Sequence, residues 1–155
     1  MNTYLIVKTI HIISATILFG TGIGIAFFMF RSYFHNSLEV KLYAASETVS
    51  ADYLFTFPAA ITQVASGAWL VWKSGYQWTD HWLIMTYALY ALAGLCWLPV
   101  VWIQIKLRNM LMECVANKSP LPDTYFKLFK VWFLLGWPAF IALVIIFFMM
   151  ICKPV

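Results

Sequence analysis

Four stretches of this chain carry no charged side chain: Thr9–Phe30 (with His11 inside it), Tyr53–Trp72, Trp82–Ile105 and Val131–Cys152. Each is about 20 residues or longer, the length a helix needs to cross roughly 30 Å of hydrocarbon. Backbone polar groups in lipid must be satisfied within their own segment, so such runs are helical. Of the 155 residues, 63% are hydrophobic and 10% charged, which leaves too little polar surface for a soluble domain. The expected fold is all-α: one polytopic membrane domain over residues 1–155, a four-helix bundle with helices at about 4–30, 51–73, 82–106 and 130–152. The first run is too long for a signal peptide, is flanked only by Lys8, and is followed by no small-x-small cleavage site, so it reads as a retained helix.

Lys and Arg near the helix ends set the orientation. Arg31, Lys41, Lys106, Arg108, Lys118, Lys127 and Lys130 fall on one side; Lys8, Lys73 and Lys153 fall on the other. The seven-to-three bias puts the two longer connections in the cytoplasm and both termini outside. The expected location is a bacterial inner membrane, crossed several times. The net charge of +4 is mostly this asymmetry and calls for no nucleic acid. Cys96, Cys114 and Cys152 show no metal-ligand spacing and no disulfide framework. In the first inner connection, Leu38, Leu42, Ala45 and Val49 have helical spacing. Helix 2 therefore begins before the bilayer, or a short helix lies on the surface. Helix 3 is expected to continue past Lys106 and to stop at KSPLPD, with Asp123 capping helix 4. The short outer loop makes helices 2 and 3 antiparallel neighbours.

Two layers of unusual residues stand out by depth. In the cytoplasmic half, Pro58, Pro99 and Pro138 meet the level of Gly20-Thr21-Gly22-Ile23-Gly24. One reading is packing, with Gly20 and Gly24 as a GxxxG pair. The other is a substrate cavity lined by Gly20, Gly24, Pro58, Gln63 and Pro99 and roofed by Trp97, Trp137 and Pro138. In the outer half, Lys8, His11 and Ser14 share a face of helix 1, level with Gln63 and Ser66, with Met85, Tyr87 and Tyr90, and with Met149. An ionisable residue inside a bilayer is a functional candidate by default. His11 can ligate haem iron, with Lys8 meeting a propionate and Met85 as a second ligand. It can equally be a hydrogen-bond partner of Tyr87, Tyr90 or Gln63 that holds helices together. Asp52, Thr56, Gln63 and Ser66 form one polar stripe on helix 2, where Asp52 is expected to pair with Arg31 or Lys130. No GxSxG, HExxH, phosphate-binding loop or dinucleotide fingerprint occurs, so the sequence leaves open whether the chain is an enzyme.

The motifs KTIHIISATILFGTGIGIAFFM, ADYLFTFPA, CWLPVVWIQIKLR, FKVWFLLGWPAF and the closing KPV together resemble a family of bacterial integral membrane proteins known only as a domain of unknown function. More distantly, the Lys-x-x-His opening (Lys8, His11), the apolar last helix and the closing Lys-Pro are similar to protoporphyrinogen oxidases of the HemJ type. CopD-type membrane proteins fall in the same wider group. This resemblance implies haem b, with His11 as axial ligand and metal site. It does not carry over the residues expected to handle a porphyrinogen. No lysine follows Trp82-Leu83, where Ile84-Met85-Thr86 stands, and Leu135-Gly136-Trp137 precedes Pro138 without an Asn-Glu pair. The leading expectation is a haem-b-binding protein exchanging electrons with a quinone or a membrane partner. The alternatives are a small permease or metal-handling protein acting as a homo-oligomer, with Asp52, Gln63 and Ser66 on its path, and a non-catalytic assembly factor packing through its glycine face.

Overall fold

The computed structural model describes residues 2–154, and every regular element among them is helical. Helix α1 runs Thr3–Tyr33, α2 Leu38–Ala51, α3 Phe57–Ser74, α4 His81–Asn117 and α5 Asp123–Cys152. A π-helical turn, Asp52–Thr56, joins α2 to α3 without a break, so four continuous rods are long and apolar enough to span a membrane. With four spans, both termini lie on the same side.

Each rod outruns its apolar stretch at one end of the bundle, the end that the Lys and Arg bias leads one to expect in the cytoplasm, hereafter the inner end. α1 continues past 30 to Tyr33, and the second span begins at Leu38 rather than 51. α4 extends past 106 to Asn117, and α5 begins at Asp123 rather than 130. These extensions are amphipathic and pack on one another. Met29, Ala45, Leu107, Leu111, Tyr125 and Phe129 are almost wholly buried in one cluster there. Burial of that kind, at roughly 25 cal/mol per Å² of apolar surface, holds a helix beyond the bilayer. Lys41 is buried with it and donates from Nζ to the carbonyl oxygens of Ser32 (3.1 Å) and Tyr33. The cation thus satisfies the last carbonyls of α1 where the helix dipole is negative. Asp123 is the first residue of α5, where its charge suits the helix N-terminus, and it is not the cap: Pro122 holds that place with no side-chain bond.

The outer end is thinner. Val71, Trp82 and Leu83 form a small cluster with Tyr76 and Met150 beside it. Lys153 closes it, donating to the Tyr76 hydroxyl at 2.6 Å and lying over the Tyr76 and Trp82 rings. α3 ends at Gly75, whose φ of 73° is left-handed and favours a residue without a Cβ. Along their length the helices pair as α4 with α5 and α1 with α3, while α2 fits against α4 and α1. α1 meets α5 through Phe19 stacked on Phe140 and Phe30 stacked on Phe133. α3 and α4 are joined by the short loop but are not among the closely packed pairs.

Candidate functional site

The polar stripe that begins at Asp52 divides at the π-helical turn. Pro58 has no N–H and its ring crowds the carbonyl one turn earlier, so a regular α-helix is strained there. The wider turn relieves this, with the N–H of Phe57 reaching the Asp52 carbonyl. Such a turn acts as one inserted residue and rotates the faces of α3 by on the order of 100° relative to those of α2. Asp52 and Thr48 consequently belong to the α2 face against α4, and Gln63 and Ser66 turn toward α1. Two polar sites result.

The outer site joins α1 to α3. His11 Nδ1 lies 2.8 Å from Ser66 Oγ, and His11 Nε2 lies 3.1 Å from the Gln63 amide nitrogen. Ser66 donates its own proton to the Thr62 carbonyl, and Ser14 donates to Gln63 Oε1. One arrangement satisfies every member. Nδ1–H donates to Ser66, and the Nε2 lone pair accepts from Gln63. The ring also sits hard against Gly67, where a Cβ would come within 3.2 Å of His11 Cε1. Of the three partners that the sequence suggests, Gln63 is the one found. Tyr90 instead donates to the Ala60 carbonyl at 2.9 Å, and Tyr87 is exposed.

A haem does not fit this arrangement. The Nε2 lone pair that would bind iron is occupied by Gln63, and Gly67 closes on the ring from α3. Met85, expected as a second ligand, is 53% exposed on α4, and the two ring nitrogens of His11 bond to Ser66 and Gln63 instead. Lys8 is exposed while His11 and Ser14 turn inward. Among the described residues no three His, Cys, Asp or Glu side chains gather as a metal cluster.

The inner site is built on Asp52, which is 3% exposed. Its expected partners, Arg31 and Lys130, are not the ones it has. Trp97 Nε1 donates to Oδ1 at 3.3 Å. With its amide turned so that the nitrogen faces the carboxyl and the oxygen faces the indole, the orientation its neighbours require, Gln104 donates to Oδ2 at 2.7 Å and accepts from Trp132 Nε1 at 3.2 Å. The Thr56 hydroxyl is buried beside the carboxyl without a well-formed partner of its own. A charge-bearing group this deep persists only when hydrogen-bonded, and α4 supplies both donors, while Trp132 of α5 reaches the carboxyl only through Gln104. Sequence reasoning misses Gln104 and Trp132. Gln104 is the one amide in the third apolar run, and that is the available signal.

Trp97 belongs to a second feature as well. Between α3 and α4 lies a cleft of about 460 Å³, open along one side and lined by Phe57, Ala60, Ile61, Val64, Tyr90 and Trp97. A smaller groove of about 240 Å³ on the α1–α3 face includes Pro58, Ser14 and Ile17. The expected cavity is thus only partly the observed one. Trp97 lines the cleft. Gln63 is committed to His11, Pro99 is exposed on α4, and Trp137 is 52% exposed with its ring edge-on to Phe133 and Phe140. α5 remains helical through Pro138. The glycines do not pack closely either. A Cβ on Gly20, Gly22 or Gly24 would meet nothing within 4 Å.

Four apolar rods with two buried polar sites and a lateral cleft define a small polytopic integral membrane protein. The chain belongs to the family described as predicted integral membrane protein (DUF2269), which matches residues 5–154. No curated protein and no solved structure matches it.

Proposed function

We propose that this protein binds an apolar molecule dissolved in the bilayer, taking it sideways into the cleft between α3 and α4. The supporting observation is the cleft itself. Its volume of about 460 Å³ is in the range of small-molecule sites, and its walls are aromatic and aliphatic side chains with almost no polar atom. It opens beside a π-helical turn, a feature common at functional sites. A quinone or another ring-bearing membrane solute suits these walls, and the setting we infer is the inner membrane of a bacterium, termini outward. Permeation is less well supported, because the polar stripe a path would need is split between two helix faces.

Filling the cleft tests the reading. Protein purified in mild detergent is extracted with organic solvent, and its bound molecules are compared by mass spectrometry with those of Ala60→Phe and Val64→Trp. A compound enriched over bulk lipid in the wild type and lost from both variants is expected. Identical extracts would end the proposal. Haem b, the cofactor implied by the resemblance, requires Gln63 to leave His11 Nε2. A Soret band in the same preparation, absent in His11→Ala, would restore that reading ahead of this one.

A further inference from the structure

The cleft and the buried carboxyl share one side chain, Trp97, and the two oxygens of Asp52 are held unequally. Oδ2 is fixed by a short bond from Gln104, whose own orientation is locked by Trp132. Oδ1 accepts a longer bond, 3.3 Å, from Trp97, against the usual 2.9–3.0 Å for N–H···O. The neighbouring Thr56 hydroxyl, 7% exposed, is left without a well-formed partner. Among the described residues the bonded partners of the carboxyl are Trp97 and Gln104, neither of them a lysine or arginine. The acceptor that is least satisfied is therefore the one that adjoins the cleft wall.

Resting on the cleft reading, we propose that the cleft and Asp52 form one site for an amphiphile whose polar end is a hydrogen-bond donor. Its apolar body lies along Phe57, Ala60 and Val64. Its donor replaces the Trp97 N–H on Asp52 Oδ1, and the indole shifts to cover it. A diphenol and a protonated amine share this chemistry. An oxidised quinone or a simple hydrocarbon tail does not, because neither has a proton to give. Gln104 and Trp132 are positioning residues: they keep Oδ1 aimed by holding Oδ2.

The test uses an alkylhydroquinone kept reduced under anaerobic conditions and the matching alkylquinone, titrated into the full chain in lipid nanodiscs. A hydrogen bond to the buried carboxyl predicts a preference of about tenfold for the hydroquinone. Asp52→Asn should reduce that preference to about twofold or less. Trp97→Phe keeps the aromatic wall and removes the competing donor, so it should tighten hydroquinone binding while leaving the quinone unchanged. These opposite signs separate a recognition role from loss of structure, and Trp97→Phe alone decides if Asp52→Asn does not fold. Dodecylamine against dodecyl methyl ether distinguishes an amine head from a phenolic one. Equal affinity for donor and non-donor probes, or a preference that survives Asp52→Asn, would overturn the proposal while leaving the cleft reading intact. Failure of every probe to bind, with or without Ala60→Phe, would remove both.

Discussion

The inner and outer halves of this bundle solve the same problem differently. At the inner end, α1, α2, α4 and α5 converge on a cluster of fully buried side chains around Leu107, Leu111 and Tyr125, with a polar network spanning three elements. At the outer end the small cluster of Val71, Trp82 and Leu83 ties α3 to α4 and α5, and the polar contacts of His11 stay within the α1–α3 pair. The inner half outruns the apolar stretches, so excluding water from its cluster drives assembly there. The outer half is in lipid, where apolar contact carries no such gain and packing and hydrogen bonds must suffice. An open cleft between α3 and α4 is tolerable only on those terms.

Substitutions can break or sharpen this contrast. The largest loss is expected at the inner end from Leu107→Ala or Leu111→Ala, about 2–5 kcal/mol each, read as a fall in unfolding midpoint in detergent. Leu95→Ala, on an exposed face of α4, should lie within about 0.5 kcal/mol, and an equal loss would erase the contrast. Gln104→Leu comes next, at about 3 kcal/mol, since it strips a donor from a buried carboxyl. In the outer half, His11→Ala removes two bonds between helices and should cost only about 1 kcal/mol. Gly67→Ala should cost no more than that, because the imidazole can give by a few tenths of an ångström; a ring shift would register as altered His11 chemical shifts. Smallest of all, Gly20→Ala and Gly24→Ala should be neutral or stabilising by up to about 1 kcal/mol, since a methyl there meets open space. A clear loss at either position would show that another chain covers this face in the membrane.

Much of the fold is legible in the sequence because apolar length reports the bilayer directly. The spans and the helical spacing of Leu38 to Val49 can be read without coordinates. The inner ends of the rods are harder, for hydropathy marks where lipid is and not where a helix stops; Asp123 flags a helix start, but the packing of DTYFKLFK is plain only once Tyr125 and Phe129 are seen buried. His11 with Gln63 is within reach, since both lie at one depth on helices that must be close. Asp52 misleads for a physical reason. A carboxyl near an interface with Arg31 and Lys130 in the sequence invites an ion pair, and its actual partners are one amide and one indole N–H from α4, with a second indole beyond. The glycines suggest a packing seam, but seam and lipid face have the same composition, and only placement separates them.

The five residues from Asp52 to Thr56 also set how this chain can change length. Because the π-helical turn behaves as a single extra residue, removing one codon there would force the regular turn that Pro58 resists. It would also swing α2 by on the order of 100° against α3. Either Asp52 would leave Gln104 or Gln63 would leave His11. A one-residue deletion in this turn would therefore lose both the relaxed helix around Pro58 and one of the two polar sites.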